Sequence, residues 1–213
     1  MQIAILLFDR LTTLDAIGPY QVLSYLPDSE VVFVGERRGL IRGESNGVGL
    51  MVDAELAEVP NPDIVLVPGG SGQKDHMADG PVHRWLRAAD ATSTWTTSVC
   101  TGSLILAAAG LLTGRRATSH WLAVPTLAEH GAIPTRERVV TDGKYVTAAG
   151  VSAGIDMGLS LVAAIQGAEF AQSVQLGIEY DPQPPFNAGS PDTAPEAIVA
   201  RARSGSRFVL QES

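Results

Sequence analysis

The sequence predicts an α/β protein in which a mostly parallel β-sheet lies between layers of helices. Short β-branched runs recur along the chain, and segments with apolar residues at helical spacing separate them. The runs at 3–8 and 64–67 are apolar throughout, which is typical of strands covered on both faces. Strands and helices that alternate in this way favour a parallel sheet.

The individual elements follow from the same patterns. Strands are predicted at 3–8, 31–34, 64–67, 94–99 and 145–149, with a short candidate at 116–119. Helices are predicted at 15–26, 82–91, 102–112, 122–130 and 153–164. The segment 40–54 departs from the alternation, and its central Asn46-Gly47 favours a turn with positive φ, so we expect a hairpin appended to the sheet.

The last part of the chain is predicted to leave the sheet. Four prolines between residues 181 and 191 exclude a regular helix or strand, so this stretch is expected to be an extended arm. A final helix at about 193–204 is expected to begin after Asp192 as its cap, with Pro195 in its first turn. No repeat or linker divides the chain, and we expect one domain over residues 1–213.

Composition narrows the classes of partner. The 213 residues carry 23 acidic and 15 basic side chains, a formal net charge of -8, which disfavours nucleic acid as a partner. The longest uncharged apolar stretch, 104–112, is about half of the ~20 residues that span a bilayer, so no membrane association is expected. The single cysteine cannot form an internal disulfide, which suits a reducing, cytoplasmic setting.

That cysteine is the first candidate for chemistry. Cys100 lies where a predicted buried strand meets an alanine-rich helix, an arrangement typical of a nucleophile elbow. First-turn amides and the helix dipole are expected to lower the pKa of Cys100 and favour the thiolate, with Thr101 close by. The alternative is that Cys100 is a small buried hydrophobe without reactivity.

Asp15 and a glycine loop are the other candidates at this edge of the sheet. Asp15 opens a helix, where an N-cap role is the simplest interpretation, but its carboxyl could also meet the cysteine and share a proton with it. Gly69 and Gly70 follow the third strand, and the loop matches neither a Walker motif nor the dinucleotide fingerprint. It predicts a tight turn, or an anion-stabilising hole formed by the amides of Gly70 and Thr101.

The histidines do not predict a metal site. His76, His83, His120 and His130 have no zinc-motif spacing and no second cysteine to assist them, so no metal site is expected. His120 could reach the same edge as Cys100, as a structural or pocket-lining residue. Trp121 could be a core residue or the wall of an apolar substrate site.

These motifs together resemble the DJ-1/PfpI superfamily over nearly the whole chain. The similarity is carried by Asp15-x-x-Gly18-Pro19, the Pro68-Gly69-Gly70 loop and the cysteine elbow. Within that superfamily, the runs 100–103, 114–121 and 150–156 and the arm at 180–191 are similar to isocyanide hydratases. PfpI-type peptidases carry histidine after the nucleophile, where this chain has Thr101.

The resemblance implies a flavodoxin-like homodimer that hydrates a small neutral isocyanide to an N-substituted formamide without a cofactor. In that hypothesis Cys100 attacks the terminal carbon, Asp15 relays a proton, Thr101 orients the carbon or the water, and a thioimidate is hydrolysed. Gly69, Gly70, His120 and Trp121 would bind the substrate or stabilise charge.

Other functions remain open at this point. Similar domains form the N-terminal half of AraC-type regulators, but fewer than 30 residues follow Pro185, and they predict no DNA-binding helix pair. Glyoxalase or deglycase chemistry uses the same thiol on a carbonyl carbon. A redox sensor would use a low-pKa cysteine that oxidises to sulfinic acid.

Overall fold

A computed structural model describes residues 1–45 and 47–206 of the chain. The strands are β1 Gln2–Leu6, β2 Glu30–Gly35, β3 Gly39–Arg42, β4 Gly49–Val52, β5 Ala54–Glu55, β6 Ile64–Val67, β7 Trp95–Val99, β8 Arg116–Ala117, β9 Ile133–Pro134, β10 Val139–Asp142 and β11 Tyr145–Ala148. The helices are α1 Thr13–Leu23, α2 Pro81–Thr92, α3 Gly102–Ala108, α4 Ala153–Gln166, α5 Ala168–Gly177 and α6 Glu196–Ser204. Short 3₁₀ helices lie at Leu56–Glu58, Ser71–His76 and Val124–His130.

The central sheet is mostly parallel, as the sequence predicts. Its strand order is β10-β11-β7-β6-β1-β2-β5, and β10, which pairs antiparallel with β11, is the exception. The inner strands β1 and β6 are almost entirely buried, because helices cover both faces of the sheet. Burial of these Ile, Leu and Val side chains, at roughly 1.5–3 kcal/mol each, provides the main stabilisation of the core.

The hairpin is also present, but it is not part of the central sheet. β3 and β4 pair antiparallel in a separate two-stranded sheet. Residue 46, at the predicted turn, lies outside the described residues.

Several predicted helices have different bounds in the structure. The helix expected at 102–112 ends at Ala108, since the chain turns there and Gly110 takes a φ of +83°. The segment expected at 122–130 is a 3₁₀ helix. Helix α5 was not predicted; it follows α4 after Gly167, which has a φ of +89°. That glycine ends one helix and lets a second one start in a new direction.

The C-terminal segment has no regular structure where the arm is predicted, and its final helix is shorter than predicted. Residues 181–191 form neither helix nor strand in the structure. The prediction of Asp192 as the cap was wrong, because α6 begins at Glu196 with Pro195 before it. None of the helices in the described ranges combines the length and the apolar composition that crossing a membrane requires.

Candidate active site

The Cys100 backbone forms the turn that the sequence predicts between strand and helix. Cys100 follows β7, precedes α3, and has a φ of +56°, a value that costs a non-glycine residue energy. Its N–H donates to the carbonyls of Ala148 and Ala149 at 3.0 and 2.9 Å. Its carbonyl accepts from the hydroxyls of Ser119 and Ser103 at 2.9 and 3.2 Å. These bonds hold the strained backbone that presents the sulfur.

Two glycines allow this turn to pack closely against its neighbours. A Cβ on Gly102 would lie 2.0 Å from the Val67 carbonyl oxygen, and one on Gly69 would lie 2.5 Å from the Thr101 nitrogen. No side chain fits at either position. Gly69 therefore supports the site by permitting close backbone contact between the loop after β6 and the elbow.

Asp15 lies beside Cys100, and its predicted role as an N-cap is wrong. Helix α1 begins at Thr13 with Thr12 as its N-cap residue, so Asp15 is in the first turn. The Asp15 side chain is fully buried, and its Oδ2 accepts the Gly69 N–H at 2.9 Å. Its Oδ1 is buried and has no hydrogen-bond partner at ordinary distance among the described residues. The neighbouring polar group is the Cys100 thiol, which interacts with this carboxyl.

Burial dominates the proton affinities of this pair. It raises the pKa of Asp15 from 3.8 to about 7, against the lowering effect of the Gly69 N–H. The pKa of Cys100 is raised to about 12, mainly by burial and next by the charge of the adjacent Asp15. Backbone N–H groups of Val151 and Thr101 reach the sulfur and oppose this rise, but they do not offset it.

The prediction of a resting thiolate was therefore wrong. Helix α3 has only two turns, and its amides do not compensate for the desolvation of an anion at a buried sulfur. The expectation that Asp15 has a raised pKa agrees with the structure. Near neutral pH, the pair therefore consists of a neutral thiol beside a carboxyl that holds its proton more tightly than a carboxyl in water.

The predicted hole between the Gly70 and Thr101 amides has a different composition. The Gly70 N–H donates to Thr101 Oγ1 at 3.0 Å, so it does not point to the sulfur. The Thr101 N–H does reach the sulfur, and the second donor is Val151. Sequence reasoning missed Val151, although its position just beyond a strand adjacent to β7 was a usable signal.

The sulfur opens into a cavity of about 350 Å³. Cys100, Thr101, Gly70, Val151 and His120 line it, together with Glu44, which the sequence analysis did not single out. Burial lowers the pKa of His120, which favours the neutral imidazole, while the charge of Glu44 opposes this shift. Trp121 is not among these lining residues, and it lines a neighbouring cavity of about 580 Å³ that also includes His120.

The described residues contain no group of three or more His, Cys, Asp or Glu that could hold a metal ion. What the site does contain is one thiol, one buried carboxyl and two backbone donors at the sulfur. Such a set can transfer protons and form a covalent bond with an electrophilic carbon.

The fold and this elbow define a flavodoxin-like α/β protein with a cysteine site. The family model for the DJ-1/PfpI family matches residues 1–164, and the chain belongs to that family. It is similar to the isonitrile hydratase of Pseudomonas putida, with 45% identity over 203 residues, 95% of this chain and 89% of that protein. A ThiJ/PfpI family protein from Pseudomonas syringae superposes with a TM-score of 0.94 at 38% identity, over 98% of this chain and 87% of that one.

A second kind of relative has a further region. The HTH-type transcriptional regulator CdhR of Pseudomonas aeruginosa is 36% identical over 134 residues, 61% of this chain but only 39% of the regulator.

Drosophila melanogaster DJ-1beta shares the fold, with a TM-score of 0.74 at 23% identity, over 84% of this chain and 97% of that one.

Proposed function

We propose that this protein is an isocyanide hydratase, which adds water to R–N≡C to give R–NH–CHO. The observation that supports it most is the contact between the Cys100 thiol and the buried Asp15 carboxyl, whose pKa of about 7 suits proton transfer near neutral pH. The similarity to an isonitrile hydratase over 95% of the chain supports the same reaction, since isonitrile and isocyanide are one functional group.

In the first step, the Asp15 carboxylate accepts the thiol proton while the Cys100 sulfur attacks the terminal isocyanide carbon. The protonated Asp15 then gives that proton to the same carbon. The product is the thioimidate R–N=CH–S–Cys100, which contains every atom of thiol and isocyanide. This order suits a thiol with a pKa of about 12, because the proton leaves as the bond forms.

In the second step, water adds to the thioimidate carbon and a proton goes to the nitrogen. The C–S bond of the tetrahedral adduct then breaks, the hydroxyl proton returns to sulfur through Asp15, and the formamide leaves. The N–H groups of Val151 and Thr101 stabilise negative charge on the sulfur as it departs. Thr101 also holds the Gly70 loop through its hydroxyl, so its role in this scheme is to position the site.

The remaining functions from the sequence analysis have less support. A redox sensor uses a thiolate, whereas the Cys100 thiol is buried with its pKa raised to about 12. The regulator CdhR matches this chain over only 39% of its own length, so its activity as a whole does not carry over. Glyoxalase or deglycase chemistry uses the same pair of groups, and a direct assay separates it from hydration.

The test compares the wild-type protein with Cys100→Ala on an alkyl isocyanide, a dicarbonyl and a peptide. We expect formamide from the isocyanide with the wild type only, and a loss on the order of 10³-fold or more for the variant. Circular dichroism would show that the variant is folded. Formamide production by folded Cys100→Ala would contradict the covalent route, and turnover of the dicarbonyl alone would favour the glyoxalase class.

We also propose that the protein acts as a cytoplasmic homodimer. Leu40 and Met51, which are paired across the β3–β4 hairpin, are each 55% exposed and form one apolar patch, and Leu14 on α1 is 42% exposed. A second copy could cover such a patch. Sedimentation equilibrium should give twice the 22.4 kDa chain mass, and Met51→Glu should shift it toward the monomer. A single-chain mass at micromolar concentration would exclude the dimer.

A further inference from the structure

Glu44 is an acidic side chain at the cavity of Cys100 that the proposed reaction does not use. It follows β3, and its N–H donates to the Leu11 carbonyl at 3.0 Å. Thr12 Oγ1 donates to its Oε1 at 2.8 Å, and the Ser71 N–H donates to its Oε2 at 3.1 Å. The carboxylate is therefore fixed between the loops that follow β1 and β6, although the residue is exposed to solvent.

The charge of Glu44 acts on the groups around the sulfur. Burial is the main cause of the raised pKa of Asp15, and the Glu44 charge adds to that rise. The same charge raises the proton affinity of His120, against the effect of burial. Glu44 thus projects a negative potential into the volume where a ligand of Cys100 would lie.

No positive side chain balances this potential in the described lining. The described residues around the cavity include neither Lys nor Arg, and their acidic member is Glu44. A carboxylate on a ligand would meet Glu44 and, above pH 7, ionised Asp15. A neutral ligand would meet no such repulsion.

We infer that Glu44 determines specificity at this site by excluding anionic ligands, so that the substrates are isocyanides whose organic group carries no negative charge. The identity of the substrates as isocyanides rests on the proposed hydratase function. The exclusion of anions rests on the cavity alone. The interaction is electrostatic and lies near the surface, so it weakens as salt screens it.

The first experiment uses two isocyanides with the same skeleton, the isocyanoacetate anion and its neutral methyl ester. For the wild type, kcat/KM should be higher for the ester. Glu44→Gln should reduce the ester-to-anion ratio by about fivefold to tenfold, mainly through a lower KM for the anion. The matched control is Glu30→Gln, which removes the same charge from an exposed position at the opposite, amino-terminal edge of the sheet and should leave the ratio unchanged.

Salt dependence separates charge from loop anchoring. Raising the ionic strength from about 0.01 M to about 1 M should reduce the ratio more for the wild type than for Glu44→Gln, in which Asp15 is the remaining acidic group at the site. If Glu44→Gln slows both isocyanides equally and the ratio has no salt dependence, Glu44 only anchors the loops and the inference is wrong.

The second experiment does not depend on hydration. Cys100 is the single cysteine, so alkylation reports on this cavity alone. Iodoacetamide and iodoacetate each form an S–CH₂ bond, release iodide and displace the thiol proton. Glu44→Gln should increase the iodoacetate-to-iodoacetamide rate ratio, again by about fivefold to tenfold, while Glu30→Gln should not.

The two experiments fail in distinguishable ways. If no formamide forms but alkylation depends on the charge of the reagent, the proposed function is wrong and the exclusion of anions by Glu44 is supported. An unchanged alkylation ratio in Glu44→Gln, or no alkylation by either reagent, would overturn the inference, because the cavity would then not discriminate by charge or not admit small molecules.

Discussion

Two aspartates at opposite edges of the sheet have contrasting surroundings. Asp90, near the amino ends of β7 and β11, accepts hydrogen bonds from Thr96 at 2.6 Å and Tyr145 at 2.9 Å, and Lys144 Nζ lies 3.1 Å from its Oδ1. Asp15, near the carboxyl ends, accepts one backbone N–H, and its Oδ1 has no such partner among the described residues.

The two carboxyls differ in how well their oxygens are satisfied. Three donors satisfy both oxygens of Asp90 and fix the carboxyl in place. Asp15 is fully buried with one oxygen unsatisfied, and its pKa rises to about 7. Among the described residues, unsatisfied buried atoms also occur at His83 Nδ1 and Ser98 Oγ. The site is where an unsatisfied acid meets a thiol.

The largest expected effect is the loss of catalysis when the Asp15 side chain is replaced. Asp15→Asn removes the proton carrier and should lower kcat/KM for an isocyanide by about 10²- to 10⁴-fold. In the wild type, kcat/KM should rise with pH through about 7, because the ionised carboxyl accepts the thiol proton. Formamide release measured from pH 5 to 9 checks both results. A rate independent of pH, or full activity in Asp15→Asn, would remove Asp15 from the mechanism.

The next largest effect is on the free energy of unfolding, which the burial of ionised Asp15 lowers. Its folded-state pKa is above the unfolded value, so folding is favoured below pH 4 and loses that contribution as pH rises from about 4 through about 7. The rise from 3.8 to about 7 corresponds to roughly 4 kcal/mol. Urea unfolding should therefore show Asp15→Asn gaining stability relative to the wild type over that range. A constant difference between the two at pH 4 and pH 8 would contradict the raised pKa.

The smallest effect is at the other edge of the sheet. Asp90→Ala leaves the hydroxyls of Thr96 and Tyr145 without their acceptor and should reduce the free energy of unfolding by about 1–3 kcal/mol. Formamide production should not change, because the cluster lies far along the strands from Cys100. The matched control is Asp79→Ala, whose exposed pair with Arg87 should contribute less than about 1 kcal/mol. If the two variants lose the same free energy of unfolding, the hydrogen bonds of Asp90 do not stabilise the protein more than an exposed ion pair does.

Much of the fold could be predicted because its signals are local. The strand at 64–67 has the predicted bounds, since four consecutive apolar β-branched or leucine residues fit a strand covered on both faces. The elbow at Cys100 could be predicted because a strand pattern and a helix pattern meet at one residue. Helix α5 was missed, although its Ala, Glu, Gln and Leu residues favour a helix; its packing against α4 is visible only in the fold.

The sequence predicts which residues form the site better than it predicts their pKa values. Cys100 and Asp15 could be named from motifs and strand ends, and the structure brings them together. The thiolate was predicted from a helix start, whereas the pKa depends on burial by residues from distant parts of the chain. Val151 and Glu44 reach the cavity from two other loops. The position of Val151 just beyond a predicted strand was a usable signal, whereas no local pattern marks Glu44.

The sequence by itself determined that a parallel sheet forms and that one thiol stands at a strand-to-helix turn, because apolar periodicity and turn residues act over a few neighbours. Only the tertiary structure decided that Asp15 lies beside this thiol, that both stay protonated more readily than in water, and that Glu44 faces their cavity. Proton affinity depends on solvent exclusion and on charges through space, and both arise only when segments distant in sequence pack together.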